Sequence, residues 1–325
     1  MKRFQNKVAE SRYALTLMAI YALGVWYLGG LVENQLYLQL AFLGVSTYLM
    51  MEINNSNALI RIYSRMVSCS FLALTSMATF LFPSLRESIV QLCLITSYTI
   101  IFHIYQDKDS PGLMFYAFLC LGIASVLFIQ VLYFVPLLWL LIGFKMMAFS
   151  FRMFCASIVG LITPYWFLAP LSFFTGHFDS LVEHITSIAY FQPLFQYQRF
   201  NDHHYITFAF VCLVALIGMV HYLRNSHMDK IRTQMIYELL MWMNLFTVVF
   251  IILQPQHFEI LLGMMIVNTS PFIGHFLALT HTKLTNITFY MLIFLILFIT
   301  AYNLWIPRLP FSPNTAMGEC WWPPF

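Results

Sequence analysis

Between positions 112 and 174 only two charged side chains, Lys145 and Arg152, interrupt an otherwise apolar run. A segment of that length and character is kept in solution only by lipid or by protein packed around it, because water does not tolerate so much uncovered apolar surface. The rest of the chain repeats the pattern. Of its 325 residues 61% are hydrophobic and 9% are charged, whereas an ordinary soluble domain is about 25% charged. Water-soluble enzymes, disordered scaffolds and secreted disulfide frameworks are thereby excluded, and no nucleic-acid partner is expected.

About 20 apolar residues cross a bilayer core. Dividing the chain wherever charge or turn residues break such runs predicts spans near 13–31, 36–51, 66–82, 88–105, 112–128, 131–148, 153–174, 206–223, 236–253, 258–281 and 286–305. The expected fold is therefore all-α, a polytopic transmembrane bundle of about eleven spans, with 1–325 forming a single integral membrane domain. The basic start, Met1-Lys2-Arg3-Phe4-Gln5-Asn6-Lys7, runs into the first span without a small-residue cleavage site and reads as a retained helix.

Cation placement sets the orientation, since Lys and Arg accumulate in cytoplasmic loops. With the N-terminus inside, Lys2, Arg3, Lys7, Arg12, Arg61, Arg65, Lys108, Lys145, Arg152, Arg224, Lys230, Arg232 and Lys283 are cytoplasmic, and only Arg86, Arg199 and Arg308 are outside: thirteen against three of the 16 basic residues. Merging 112–174 into two spans would reduce this to nine against seven, so eleven spans with N-in and C-out are preferred.

One loop is long. Positions 175–205 fall on the outer side, and within them Phe178, Leu181, Val182, Ile185, Ile188 and Ala189 recur at helical spacing with Asp179 and Glu183 on other faces. This predicts an amphipathic helix in the membrane interface, followed by aromatic anchors Phe191, Phe195, Tyr197 and Phe200. The loop also gathers His177, His184, Arg199, Asp202, His203 and His204. Here a carboxylate or imidazole could act as general base on an acceptor hydroxyl, with Arg199 as a fork donor to a lipid-linked phosphate.

The other outer charges are Glu33, Arg86, Glu87, Glu259 and Arg308. Glu33 occupies the first outer loop, where polytopic glycosyltransferases that use polyprenyl-phosphate sugars commonly carry a catalytic acid. The expected catalytic residues are thus Glu33, Asp202, His203 and His204, with Arg86, Arg199 and Arg308 binding substrate. Inside the tenth span, Asn268-Thr269-Ser270-Pro271 and His275 form a second candidate set, because Pro271 removes a backbone donor and a titratable group in lipid commonly marks a pathway. No metal site and no cofactor are expected. Five of the six cysteines sit in apolar runs, there is no CxxC, and Cys320 lies in the terminal Cys320-Trp321-Trp322-Pro323-Pro324 tail.

Between 54 and 166 the chain carries Asn54-Asn55-Ser56-Asn57 followed by Arg61 and Arg65, then Pro83, a Gly-Ile-Ala-Ser turn at 122–125, and Arg152-x4-Ser157-x2-Gly160-x3-Pro164-Tyr165. In these spacings it resembles a family of uncharacterised multi-pass inner-membrane proteins of Bacteroidota. The resemblance implies an envelope protein of a didermic bacterium and brings no activity with it. Three functions stay open: a transferase or polymerase acting on a polyprenyl-phosphate-linked sugar at the periplasmic face, a transporter or lipid flippase using Pro271 and His275, and a non-catalytic membrane subunit that positions envelope protein partners.

Overall fold

A computed structural model describes residues 3–189, 194 and 201–305. Among these the chain is all-α, with thirteen helices and no strand: α1 Phe4–Ala9, α2 Ala14–Leu28, α3 Tyr37–Asn57, α4 Met66–Met77, α5 Leu85–His103, α6 Pro111–Leu127, α7 Phe134–Phe144, α8 Phe151–Thr175, α9 Phe178–Thr186, α10 Asp202–Asn225, α11 Ile231–Leu253, α12 Phe258–Leu279 and α13 Lys283–Trp305. Six of them (α5, α8, α10, α11, α12 and α13) are long and apolar enough to cross a membrane. The apolar helices α2, α4, α6 and the 129–144 segment containing α7 are shorter. Helix α3 has the length, but Glu52, Asn54, Asn55 and Asn57 make its last turns polar.

A soluble bundle buries one stripe of each helix and turns polar side chains outward. Here the outward faces are apolar. Helix α8 exposes Phe151, Val159, Ile162, Trp166, Phe167, Leu171, Phe173 and Phe174, and α13 exposes Leu284, Ile287, Met291, Phe294 and Phe298. Such surfaces belong in hydrocarbon, and this is a membrane protein.

Helix α12 is the axis. Its spanning window is wholly buried, and α4, α5, α10 and α11 pack against it. Close crossings rely on missing side chains, as in membrane bundles generally. A Cβ on Gly274 of α12 would come within 2.8 Å of the Val67 nitrogen of α4, and one on Gly160 of α8 within 2.5 Å of the Phe115 oxygen of α6.

Pro271 lies within α12, and the surrounding helices supply its polar partners. Tyr98 donates to Asn268 Oδ1 (2.9 Å), Thr269 to Asn244 Oδ1 (3.5 Å), Ser270 to the Ile266 carbonyl (2.6 Å) and Tyr237 to the Pro271 carbonyl (3.3 Å). Hydrocarbon offers no alternative partner, so these bonds are what permits a polar proline segment at that depth.

The short helix α1, in the basic segment ahead of the first span, is folded back onto the end of α12. Gln5 donates to the Leu277 carbonyl and to Thr280 Oγ1, each at 2.7 Å, which satisfies groups that the end of α12 leaves unpaired. Helix α9 falls where an amphipathic helix was expected. It buries no residue and is tied to the bundle by His184 Nε2 against the Ser125 carbonyl at 3.0 Å.

Candidate functional site

Two clusters of titratable side chains sit at opposite ends of α12. The first lies where the N-terminal ends of α5, α10 and α12 meet. Ser84 caps α5 by accepting the Glu87 amide (3.3 Å), which puts Glu87 in the first turn, and Glu259 holds the same place in α12. Asn201 caps α10 reciprocally with His204: its side chain takes the His204 amide, and its own backbone N–H donates to His204 Nδ1 at 3.3 Å. With Nδ1 an acceptor, neutral His204 carries its proton on Nε2, and that nitrogen stands 4.0 Å from Glu259 Oε1.

Glu87 and Glu259 face each other across the N-terminal ends of α5 and α12, close enough for their carboxyl groups to act on one another. Two carboxylates have no donor between them, so a hydrogen bond across the pair needs a shared proton. Glu87 is buried, while the Glu259 side chain is 48% exposed and forms the accessible half of the pair. Behind Glu87 a cavity of about 20 Å³ is lined by Trp26, Gln39, Thr75 and Gln91. It is water-sized, too small for a substrate, whereas Glu259 is the exposed member of the pair.

Around the pair, the Arg86 guanidinium lies 5.6 Å from the Phe128 ring centroid, and Phe128 meets the His257 ring at 5.1 Å. His203 and His204 both pack on Phe80, at 5.5 and 4.7 Å. The cluster therefore unites a carboxyl pair, imidazoles and one guanidinium at three helix N-termini, whose partial positive charge favours anions.

Of the residues singled out in the sequence, Arg86, His203 and His204 are brought together here. Asp202 is exposed on the first turn of α10 beside His203. Glu33 is exposed in the α2–α3 turn, near Gly30 and Asn34, and makes no ion pair or hydrogen bond with the carboxyl pair among the described residues. Arg199, Arg308, Phe191, Phe195, Tyr197, Phe200 and the Cys320 tail lie outside the described residues. Glu87 and Glu259, legible in the sequence only as scattered outer charges, are the core of the site.

The second cluster occupies the other end of α12. Asp229, whose side chain is 0% exposed, forms an ion pair through Oδ1 with Arg61 Nε at 2.8 Å and meets His275 Nε2 with Oδ2 at 3.1 Å. His221 stacks beside His275 at 5.4 Å, and the rings of Tyr237 and Tyr222 close over His275 at 5.3 and 5.8 Å. Arg232 donates to Asn57 Oδ1 (2.8 Å) and to the Phe102 carbonyl (2.7 Å), fixing the start of α11 to the ends of α3 and α5. Lys145 pairs with Glu238 at the same end. His275 is one of the two pathway candidates named from the sequence. Asp229 is not, because it sits in the short connector between α10 and α11, where an acid ordinarily faces water.

Among the described residues no three His, Cys, Asp or Glu side chains gather as a metal site. Comparison with protein-family models, curated proteins and solved structures finds no match for this chain.

Proposed function

We propose that this chain is an integral protein of a bacterial inner membrane, related to the Bacteroidota family it resembles. In this reading it spans the membrane eleven times from a cytoplasmic N-terminus and transfers a polyprenyl-phosphate-linked sugar at the periplasmic face. Support for the orientation comes from the contacts that group Arg61, Arg232 and Lys145 at the Asp229 end, while Arg86 is at the Glu87 end; such sorting of cations is what membrane insertion favours.

The observation that carries the chemistry is the Glu87–Glu259 pair, one member buried and one exposed, beside a guanidinium and two imidazoles. Glu259 takes the proton of an acceptor hydroxyl as that oxygen attacks the sugar's anomeric carbon. Glu87 keeps the pair's shared proton in place, and Arg86 with the three helix N-termini receives the departing lipid phosphate. His204 Nε2–H faces Glu259 at 4.0 Å. In cells, Glu259→Gln, Glu87→Gln and Arg86→Gln are each expected to abolish a surface glycan at unchanged protein level. Normal glycans in all three variants would refute the assignment.

Transport is a second reading, favoured by the buried polar string along α12 that links Gln91 and the Gly263 carbonyl, Tyr98 and Asn268, and His275 and Asp229. It requires water to reach position 275. A His275→Cys variant protected from aqueous maleimide on both sides would eliminate it.

A further inference from the structure

At the Asp229 end a cavity of about 300 Å³ opens between the α3–α4 connection, the end of α10 and the α12–α13 turn, lined by Arg61, Ile62, His221, Asn225, Met228, Leu279 and His281. We infer that it is an anion-binding site that takes a phosphate or carboxylate group on the Arg61 guanidinium, independently of the chemistry proposed at the Glu87 end.

Four observations carry this. First, Arg61 is anchored by one nitrogen only. Its Nε is held by Asp229, while its two terminal nitrogens have no hydrogen-bond or ion-pair partner among the described residues, and a guanidinium fixed in this way presents a fork that matches an oxyanion. Second, Asp229 is itself committed, with Arg61 on one oxygen and His275 on the other, so it positions the fork rather than competing for it.

Third, the wall contains no acidic residue. Its other polar members can donate: Asn6 Nδ2 donates to His281 Nδ1 at 2.7 Å, which leaves the proton of neutral His281 on Nε2. Arg3, just ahead of α1, donates to the His281 carbonyl and adds positive charge beside it. Fourth, Ile62, Met228 and Leu279 supply an apolar wall, and the volume exceeds what a bare phosphate fills, which suits an anion carrying a small organic group. A phosphomonoester and a lipid headgroup share this chemistry.

The test is thermal unfolding and calorimetry of the full-length protein in nanodiscs, titrated with inorganic phosphate and with glycerol 3-phosphate against sodium chloride at matched ionic strength. Both phosphates are expected to bind saturably and raise the unfolding temperature. Arg61→Lys, which keeps the charge and loses the fork, is expected to weaken binding about tenfold or more. Met228→Trp narrows the cavity from an exposed lining position, leaves the Arg61–Asp229 pair intact, and is expected to weaken binding. Weaker phosphate binding in phosphatidylglycerol than in phosphatidylcholine nanodiscs would identify the occupant as a lipid headgroup, and equal binding a soluble anion. Stabilisation equalled by chloride, or phosphate binding unchanged by both Arg61→Lys and Met228→Trp, would overturn the site.

Discussion

At one end of α12 the buried acid, Asp229, has a cation on one oxygen and an imidazole on the other. At the other end two acids, Glu87 and Glu259, face each other, and the nearest imidazole nitrogen stands 4.0 Å away. The first arrangement neutralises its charge within the protein. The second leaves a carboxyl half exposed and only partly compensated, which costs stability and is retained where a reactive group is needed. Substitutions at the Asp229 end should therefore act on folding, and those at the Glu87 end on activity.

The largest expected effect breaks the first centre. Asp229→Ala removes the partner of both Arg61 and His275 and is expected to cost about 3 kcal/mol, read as loss of folded protein on thermal unfolding in detergent. Glu259→Gln in the same assay should stay within about 1 kcal/mol of the native chain. Equal destabilisation by the two would erase the contrast between the ends. Gly160→Ala lies in neither cluster, and overpacking the α6–α8 crossing should cost about 1–3 kcal/mol; if activity survives where the fold does, packing and chemistry are separable. Tyr237→Phe loses the bond to the Pro271 carbonyl and should cost about 1 kcal/mol, because the aromatic packing on His275 is kept.

Lys145→Gln breaks a partly exposed ion pair and should change stability by less than about 1 kcal/mol, diminishing further in high salt. The smallest effect belongs to the connector before α6. There Ser110 donates to Asp107 Oδ2 and the Asp109 amide to Oδ1, holding this exposed carboxyl below its usual range. A carboxyl whose folded-state pKa is depressed stabilises at neutral pH and loses that contribution as the pH falls through its folded value. Asp107→Asn should therefore lower the neutral plateau slightly and flatten the acid limb, so that the two stability curves converge at low pH.

The helices were legible in the sequence because apolar run length alone dictates them in lipid. Charge and turn residues marked most boundaries, and a polar break such as Glu52 to Asn57 was visible as a turn even though α3 runs through it. Which helix ends adjoin was not legible. Hydropathy assigns Glu87 and Glu259 to the same side but says nothing of their meeting, which follows from α5 and α12 packing against one another. Glu33, assigned to the same side by hydropathy, lies instead in the exposed α2–α3 turn near Gly30 and Asn34. Asp229 escaped notice because its burial depends on the α10–α11 connector folding inward onto His275, a tertiary event with no period or motif to announce it.

Sidedness underlies the whole scheme, and cysteine labelling tests it directly. In a background with the native cysteines replaced, Pro83→Cys beside the carboxyl cluster and Met228→Cys beside the Asp229 centre would be exposed to a membrane-impermeant maleimide. Intact spheroplasts should label Pro83→Cys, and Met228→Cys should react only after permeabilisation. Labelling of Met228→Cys in intact spheroplasts, with Pro83→Cys protected, would contradict the account.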